Sequence, residues 1–278
     1  MLKIKFAIIC FGLLIFSSAL LISCSEDNNN NVITPVPVDS SDFRFPFTNG
    51  CSWNYTITTS ASDIQPDSIL YYFEGYYPII MNGTASIMYD TVINSVVTKC
   101  FLDEFTLNGI TRSNRFYYIN NDTALILYAS RRQSPAAGIL PFRKIKNEME
   151  IPDVDNKNNV YNNVLEIQSD SLYSTLKYPI VTGTEWSHAN GGVSVVRKYL
   201  GFENVIVPAG TVSCVKKSTV YSVSLSGINY DYYSKSGLMK SYTFFNDIVV
   251  TNIANPDGIG TYDLTGETIV TSFIIPSD

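Results

Sequence analysis

The chain has 278 residues and a formal net charge of −6, with 45% hydrophobic and only 16% charged residues. This acidic balance argues against nucleic acid as a partner, because binding it requires basic residues that neutralise phosphates. Aromatic residues make up 13% of the chain, mostly 19 tyrosines and 15 phenylalanines. Such a composition favours strands over helices, which prefer alanine, leucine, glutamate and lysine.

The N-terminal segment has the parts of a secretory signal peptide. Lys3 and Lys5 precede an apolar run over residues 6–22, and small residues lead to Cys24. Residues 21–24 read Leu-Ile-Ser-Cys, which resembles the lipobox of bacterial lipoproteins. The resemblance implies cleavage before Cys24, a diacylglycerol on its sulfur and an acylated amino terminus. An uncleaved transmembrane helix is the alternative, but no positive cluster follows to stop transfer.

The residues after Cys24 bear on which membrane holds the anchor. Ser25, in place of aspartate at the second mature position, argues against retention in the inner membrane. Residues 24–27 also resemble the acidic export signal of surface lipoproteins of Bacteroidota, although a solvated linker would begin in the same way. We therefore predict a lipid-anchored outer-membrane protein, with periplasmic and surface-exposed orientations both open. Two or more acyl chains make such an anchor stable.

The remainder of the chain divides into a tether and a folded part. Residues 24–42 are rich in Asn, Pro, Val and Ser without an apolar period, which predicts a disordered tether after the signal peptide of residues 1–23. Residues 43–278 alternate short β-branched and aromatic runs with turn residues, which predicts a β domain. The fold class is all-β: a curved antiparallel sheet, half-barrel or sandwich after an N-terminal signal helix. Predicted hairpin turns lie at Asn82-Gly83, Asn108-Gly109, Asn190-Gly191 and Asp257-Gly258.

An internal echo suggests a duplicated domain. Residues 45–53 and 178–186 both read aromatic-Pro-apolar-x-x-Gly-x-x-Trp. One interpretation is two pseudo-repeated halves, residues 43–150 and 176–278. The alternative is one strand-entry motif that occurs twice.

The segment around Val207-Pro208-Ala209-Gly210-Thr211 carries a second resemblance. With residues 232–240 it resembles a set of bacterial, Bacteroidota-type envelope proteins of unknown function, which share a V-P-A-G-T-F pattern; Val212 replaces the usual phenylalanine. The resemblance implies a curved antiparallel sheet. We interpret the segment itself as strand–turn–strand and not as an active site.

Four short motifs resemble the O-glycosylation acceptor of Bacteroidota envelope proteins, in which aspartate precedes Ser or Thr and then an apolar residue. Ordinary turns before strands would give the same pattern. The candidate acceptors are Ser68, Thr91, Thr123 and Ser171.

Three cysteines remain in the predicted mature chain, Cys51, Cys100 and Cys214. An oxidising compartment allows a Cys100–Cys214 disulfide between neighbouring strands. The alternative, which we favour, is that both are buried small hydrophobes.

The sequence contains little that indicates a catalytic or metal-binding site. His188 is the only histidine and lies in a predicted turn. Asp103 and Glu104 would point to opposite faces of a strand, so they cannot act together as acid and base. Residues 153–159 offer alternating oxygens but lack the glycine and glutamate of a calcium loop. We predict no catalytic residue, no metal and no cofactor.

The prediction of function therefore depends on the predicted location in the cell envelope and on the aromatic strands. Aromatic-rich strands predicted at residues 71–77 and 230–233 favour a non-catalytic binding protein for a lipid, glycan or peptide. The alternative is a structural or assembly lipoprotein that meets another envelope protein at a sheet edge. The predicted partners are the membrane, through the lipid anchor, and an unknown ligand or envelope protein, with no nucleic acid.

Overall fold

The structure is a computed structural model, and it describes residues 42–75, 77–107, 109–132, 165–167, 173–190, 193–222, 226–252 and 255–276. The predicted signal peptide, the tether up to residue 41, Cys24, Ser171 and the loop of residues 153–159 lie outside these ranges. Within them the chain forms 13 strands of one antiparallel sheet and a short 3-10 helix at Asp67–Tyr72.

Most of these strands pair with the strand that follows them in the chain. They are β1 (Ser52–Gln65), β2 (Ile79–Ile93), β3 (Val96–Leu107), β4 (Ile110–Asn120), β5 (Ala124–Arg132), β6 (Leu165–Ile167), β7 (Tyr173–Lys177), β8 (Glu185–Asn190), β9 (Val193–Val207), β10 (Gly210–Ser222), β11 (Ser226–Ser234), β12 (Gly237–Asn252) and β13 (Asn255–Ile274).

The strands form two meanders that meet where the first and last strands pair. The order across the sheet is β6-β5-β4-β3-β2-β1-β13-β12-β11-β10-β9-β8. Strand β7 is outside this order: it pairs with residues 124–127 of β5, whereas β6 pairs with residues 129–131 of the same strand. Ser52 of β1 lies opposite Ile274 of β13. The result is a nearly closed, barrel-like sheet, which confirms the predicted all-β class with a curved antiparallel sheet.

Alternation along the strands places one set of side chains inside the sheet. In β1, Trp53, Tyr55 and Ile57 are buried. Around Trp53 an apolar cluster fills one end of the interior, together with Phe43 and Phe45 from the segment that precedes β1.

A second apolar cluster lies apart from the first. It joins Ile69 and Phe73, from the 3-10 helix and the residue after it, to Phe245, Ile248 and Tyr262. Strand β12 runs through both clusters. Its buried side chains change from Leu238 and Met239, in the first cluster, through Thr243 to Phe245 and Ile248, in the second, so a polar layer separates the two clusters.

Two of the predicted hairpin turns are wrong. Asn82-Gly83 and Asp257-Gly258 lie inside β2 and β13. At Gly83 the reason is steric: a Cβ atom there would come within 2.3 Å of Tyr55 Cζ, so the glycine makes room for this ring inside the sheet. The β2–β3 turn is instead at Asn94-Ser95, whose φ angles are 48° and 66°.

The other two predicted turns agree with the strand bounds. Asn108-Gly109 falls between β3 and β4, and Asn190 ends β8. The V-P-A-G-T segment forms the β9–β10 hairpin, with Gly210 opposite Val207, as the strand–turn–strand interpretation requires.

Candidate functional site

A ladder of polar residues crosses the inner face of five neighbouring strands, β9 to β13. Two rows of residues lie in register, and every member except the half-buried Ser241 is buried. The first row is Tyr199, Lys217, Asp231, Ser241 and Thr268; the second is Arg197, Thr219, Asn229, Thr243 and Gly266. A buried polar layer of this kind is costly unless its groups bond one another.

Asp231 is the hub of this ladder. Its Oδ2 lies 3.0 Å from Lys217 Nζ, in an ion pair whose lysine and aspartate side chains are 0% and 5% exposed. Its Oδ1 accepts hydrogen bonds from Asn229 Nδ2 at 2.7 Å and from Ser241 Oγ at 2.9 Å. Tyr233 Oη donates to Oδ2 at 3.5 Å. The four acceptor positions of the carboxylate are therefore occupied.

Charge in the ladder is not balanced. Arg197 is 2% exposed and lies one strand beyond Lys217, so two cations accompany one carboxylate in the two rows. The Arg197 guanidinium carbon is 4.2 Å from the centre of the Tyr173 ring. Its Nη1 atom is buried and has no hydrogen-bond partner among the described residues. Burial lowers the pKa of Lys217; Asp231 counteracts this shift, whereas Arg197 adds to it.

Arg197 lies at the seam where the barrel-like sheet closes, which we define as the boundary between β7 and the β8–β9 edge. Among the described strands, β7 has backbone pairs only with β5, and β8 only with β9. Side chains bridge the seam. Trp186 Nε1 donates to Ser174 O at 2.9 Å, and Tyr199 Oη donates to Lys177 O at 2.9 Å.

Thr175 forms a β-bulge in β7 at this seam. Leu176 pairs with Leu125 and Ser174 with Ile126, so Thr175 is the extra residue. Its carbonyl oxygen accepts a 3.5 Å hydrogen bond from Lys217 Nζ. The Thr175 hydroxyl oxygen is buried without a partner among the residues that the structure describes. Strand β7 therefore meets both cations at the seam: Thr175 contacts Lys217 through its carbonyl oxygen, and Tyr173, two residues earlier, lies under the Arg197 guanidinium.

A second buried polar centre lies in the other meander. Asp103 of β3 is fully buried, and Tyr55 Oη donates a 2.5 Å hydrogen bond to its Oδ1. Burial raises the pKa of Asp103 to about 7, while the bonds from Tyr55 and Asn114 act against the rise. Glu104 is exposed, which confirms that the two neighbouring carboxylates face opposite sides.

An open groove of about 410 Å³ lies on strands β1–β4 and β13. Its polar lining is already hydrogen-bonded within itself: Thr56 bonds Asn82, and Thr84 bonds Asn54. Groups that bond one another in this way have less capacity for a ligand than the seam donors. The lining residues are Asn54, Tyr55, Thr56, Asn82, Gly83, Thr84, Glu104, Phe105, Thr106, Thr111 and Thr271.

Cys51, Cys100 and Cys214 are buried and form no disulfide; the burial of Cys100 and Cys214 agrees with the interpretation favoured for these two residues. The candidate Cys100–Cys214 disulfide is absent. Cys100 lies in β3 and Cys214 in β10, and these strands are not neighbours because the β1–β13 pair stands between the two meanders.

The candidate glycosylation sites differ in access. Ser68 and Thr123 are exposed, and Thr91 is half-buried within β2. Ser171 lies outside the described residues, as does the lipid acceptor Cys24.

Two further predictions from the sequence are wrong. His188 is in strand β8 rather than in a turn, with its ring 4.9 Å from that of Tyr173 across the seam. Tyr71 and Tyr72 belong to the 3-10 helix instead of a strand. Of the second aromatic group, Tyr233 is buried, whereas Tyr230 and Tyr232 lie against Lys216, with ring centres 4.9 and 5.2 Å from its Nζ.

No group of His, Cys, Asp and Glu in the described part of the chain is arranged to hold a metal ion. No helix there is long and apolar enough to cross a membrane.

No protein-family model matches the chain, and no curated protein matches it. It is similar to the crystal structure of a protein classed as exported, with a YmcC-like fold, from Bacteroides fragilis: the identity is 14%, the TM-score is 0.41, and the match covers 84% of this chain and 99% of that one. It is also similar to a protein classed as a lipoprotein from Parabacteroides distasonis, with 13% identity, a TM-score of 0.39, and coverage of 83% and 97%. Neither likeness carries an argument about function.

Proposed function

We propose that this chain is a lipid-anchored outer-membrane protein whose barrel-like domain binds a ligand without converting it chemically. The lipobox-like sequence at residues 21–24 supports the anchor. The observation that carries the binding role is the pair of unsatisfied, buried polar groups at the seam, on Arg197 and Thr175. Buried polar groups usually have partners, so a second molecule that supplies them is the simplest account. The ligand class is a lipid, glycan or peptide.

The anchor predicts a specific effect of Cys24→Ser. The wild-type chain should lose residues 1–23, gain acyl chains and sediment with membranes, whereas the variant should keep residues 1–23 without lipid. Membrane fractionation and intact mass measure both properties. Cys10→Ser, within the apolar run, is the matched control and should behave as wild type. Release of Cys24→Ser at the normal cleaved size would contradict the lipobox.

The same intact mass tests the candidate acceptors Ser68, Thr91, Thr123 and Ser171. Mass beyond the lipidated polypeptide supports glycosylation, and agreement with the lipidated polypeptide alone excludes it.

The binding role predicts a small molecule that co-purifies with the folded chain. Full-length protein, extracted in a neutral detergent, should show an adduct in native mass spectrometry that is lost when the protein unfolds. The denatured protein from the same sample is the control, because covalent modifications stay with it. A native mass equal to the denatured mass would contradict a bound ligand.

The alternative function is structural or assembly, through contacts with another envelope protein. Strand β8 favours it, since among the described residues this strand pairs on one side only, with β9. A stable crosslinked envelope partner together with no small-molecule adduct would favour this alternative.

A further inference from the structure

The seam has more positive than negative charge in a place that water does not reach. Arg197 and Lys217 are 2% and 0% exposed, and Asp231 is the one carboxylate in the two rows of the ladder that hold them. An ionised group that is buried without a counter-charge is strongly unfavourable. A guanidinium group cannot escape this cost by losing its proton, because arginine stays charged in proteins.

The neighbours of Arg197 do not complete its hydrogen bonds. Asp231 already accepts from Lys217, Asn229, Ser241 and Tyr233, so its lone pairs are used. The Tyr173 ring attracts the guanidinium as a cation lying over an aromatic ring. The N–H groups of the guanidinium lie in its own plane, however, and Nη1 finds no acceptor among the described residues.

We propose, on the basis of the proposed binding function, that Arg197, Thr175 and Lys217 form a subsite for one anionic oxygen group of the ligand, a carboxylate or a phosphate. A guanidinium edge matches the spacing of two oxygens on either group. The Thr175 hydroxyl adds a neutral donor, and Lys217 adds a second positive charge. A neutral glycan or an unmodified lipid chain would leave the excess charge uncompensated.

The position of the subsite suits entry of a ligand. The seam is bridged by side-chain bonds such as Trp186–Ser174 and Tyr199–Lys177, which can open without breaking a ladder between described strands. The bulge at Thr175 also favours a functional site at the seam, because bulges re-aim side chains and are common next to active sites. Tyr173, Trp186 and Tyr199 supply aromatic surface for the remainder of the ligand.

The test is anion binding by the full-length chain in neutral detergent at low salt. The probes are inorganic phosphate, acetate and octanoate, and binding is measured as the rise of the thermal midpoint in tryptophan fluorescence. At least one probe should bind. Phosphate alone would identify a phosphate group, acetate and octanoate together a carboxylate, and octanoate alone a carboxylate that needs an apolar chain.

Matched variants separate the subsite from general electrostatics. Arg197→Gln should weaken binding about tenfold or more, because it removes a charged hydrogen-bond donor. Lys198→Gln makes the same change of charge one residue away, on the outer face, where Lys198 meets Glu185 at 3.8 Å. This control should bind within about twofold of wild type.

A third variant covers the case in which Arg197→Gln does not fold. Thr175→Val keeps the shape of the side chain and removes the hydroxyl, so it should bind the same probe several-fold more weakly. The proposal is overturned if no probe binds, or if a folded Arg197→Gln or Thr175→Val binds as well as Lys198→Gln. If a co-purified adduct nevertheless persists in Arg197→Gln, ligand binding stands and the anion subsite alone is wrong.

Discussion

Asp231→Asn is expected to lower the free energy of unfolding by about 3–5 kcal/mol, the cost of removing one partner of a buried ion pair. The amide would leave Lys217 and Arg197 buried with the negative charge of Asp231 removed. It would also bring an NH₂ group among the donors that now converge on the carboxylate, namely Asn229 and Ser241. Urea unfolding of the full-length chain, followed by tryptophan fluorescence, measures the change.

Glu203→Gln is the matched control for Asp231→Asn. Glu203 pairs with Lys216 at 3.7 Å, but these side chains are 47% and 25% exposed, so the loss should be below about 1 kcal/mol. The double variant Lys217→Met with Asp231→Leu should recover much of the stability, since apolar replacements of a buried pair are often tolerated. Equal losses for Asp231→Asn and Glu203→Gln would show that the pair at Asp231 is as well solvated as the one at Glu203.

The strands were predictable because their signal is local. Alternation such as Trp53, Tyr55 and Ile57 on one face of β1 fixes both the element and its buried side. The failures arose where a neighbouring strand overrode a local signal. Asn82-Gly83 has turn chemistry, yet Gly83 is needed inside β2 to accommodate Tyr55, its partner on the neighbouring strand β1.

The seam was only partly predictable. Four pairs of adjacent charges occur in the described strands, at residues 103–104, 131–132, 197–198 and 216–217, and alternation requires each pair to send one member inside. That rule alone signals buried charge. It does not say which member is inside, because the answer depends on β-bulges such as the one between Lys216 and Lys217 in the β9–β10 pairing.

The contact of Arg197 with the Tyr173 ring is a long-range result. Strand β7 pairs with β5, in the first meander, whereas Arg197 belongs to the second. Their contact exists because the sheet curves until its two ends approach each other. Local patterns indicate curvature in general but not which residues meet at the seam.

A second large effect is expected from Asp103, in the pH dependence of the free energy of unfolding. Its pKa in the folded chain is about 7, whereas an exposed aspartate has a pKa near 4. Folding therefore favours the protonated form. Between these two values the folded chain holds a proton that the unfolded chain has released, so this contribution to stability is fully present below about pH 4 and is lost as the pH rises to about 7. The expected loss is about 4 kcal/mol.

Asp103→Asn isolates that contribution, because an amide cannot titrate and its oxygen can still accept the Tyr55 hydrogen bond. The free energy of unfolding of Asp103→Asn relative to wild type should rise between about pH 4 and pH 7 and level off above. Urea titrations at several pH values give this difference. Glu104→Gln removes the neighbouring exposed carboxyl and should show no such rise. A difference curve for Asp103→Asn as flat as that for Glu104→Gln would mean that folding leaves the pKa of Asp103 unchanged, so that Asp103 is ionised inside the folded sheet at neutral pH.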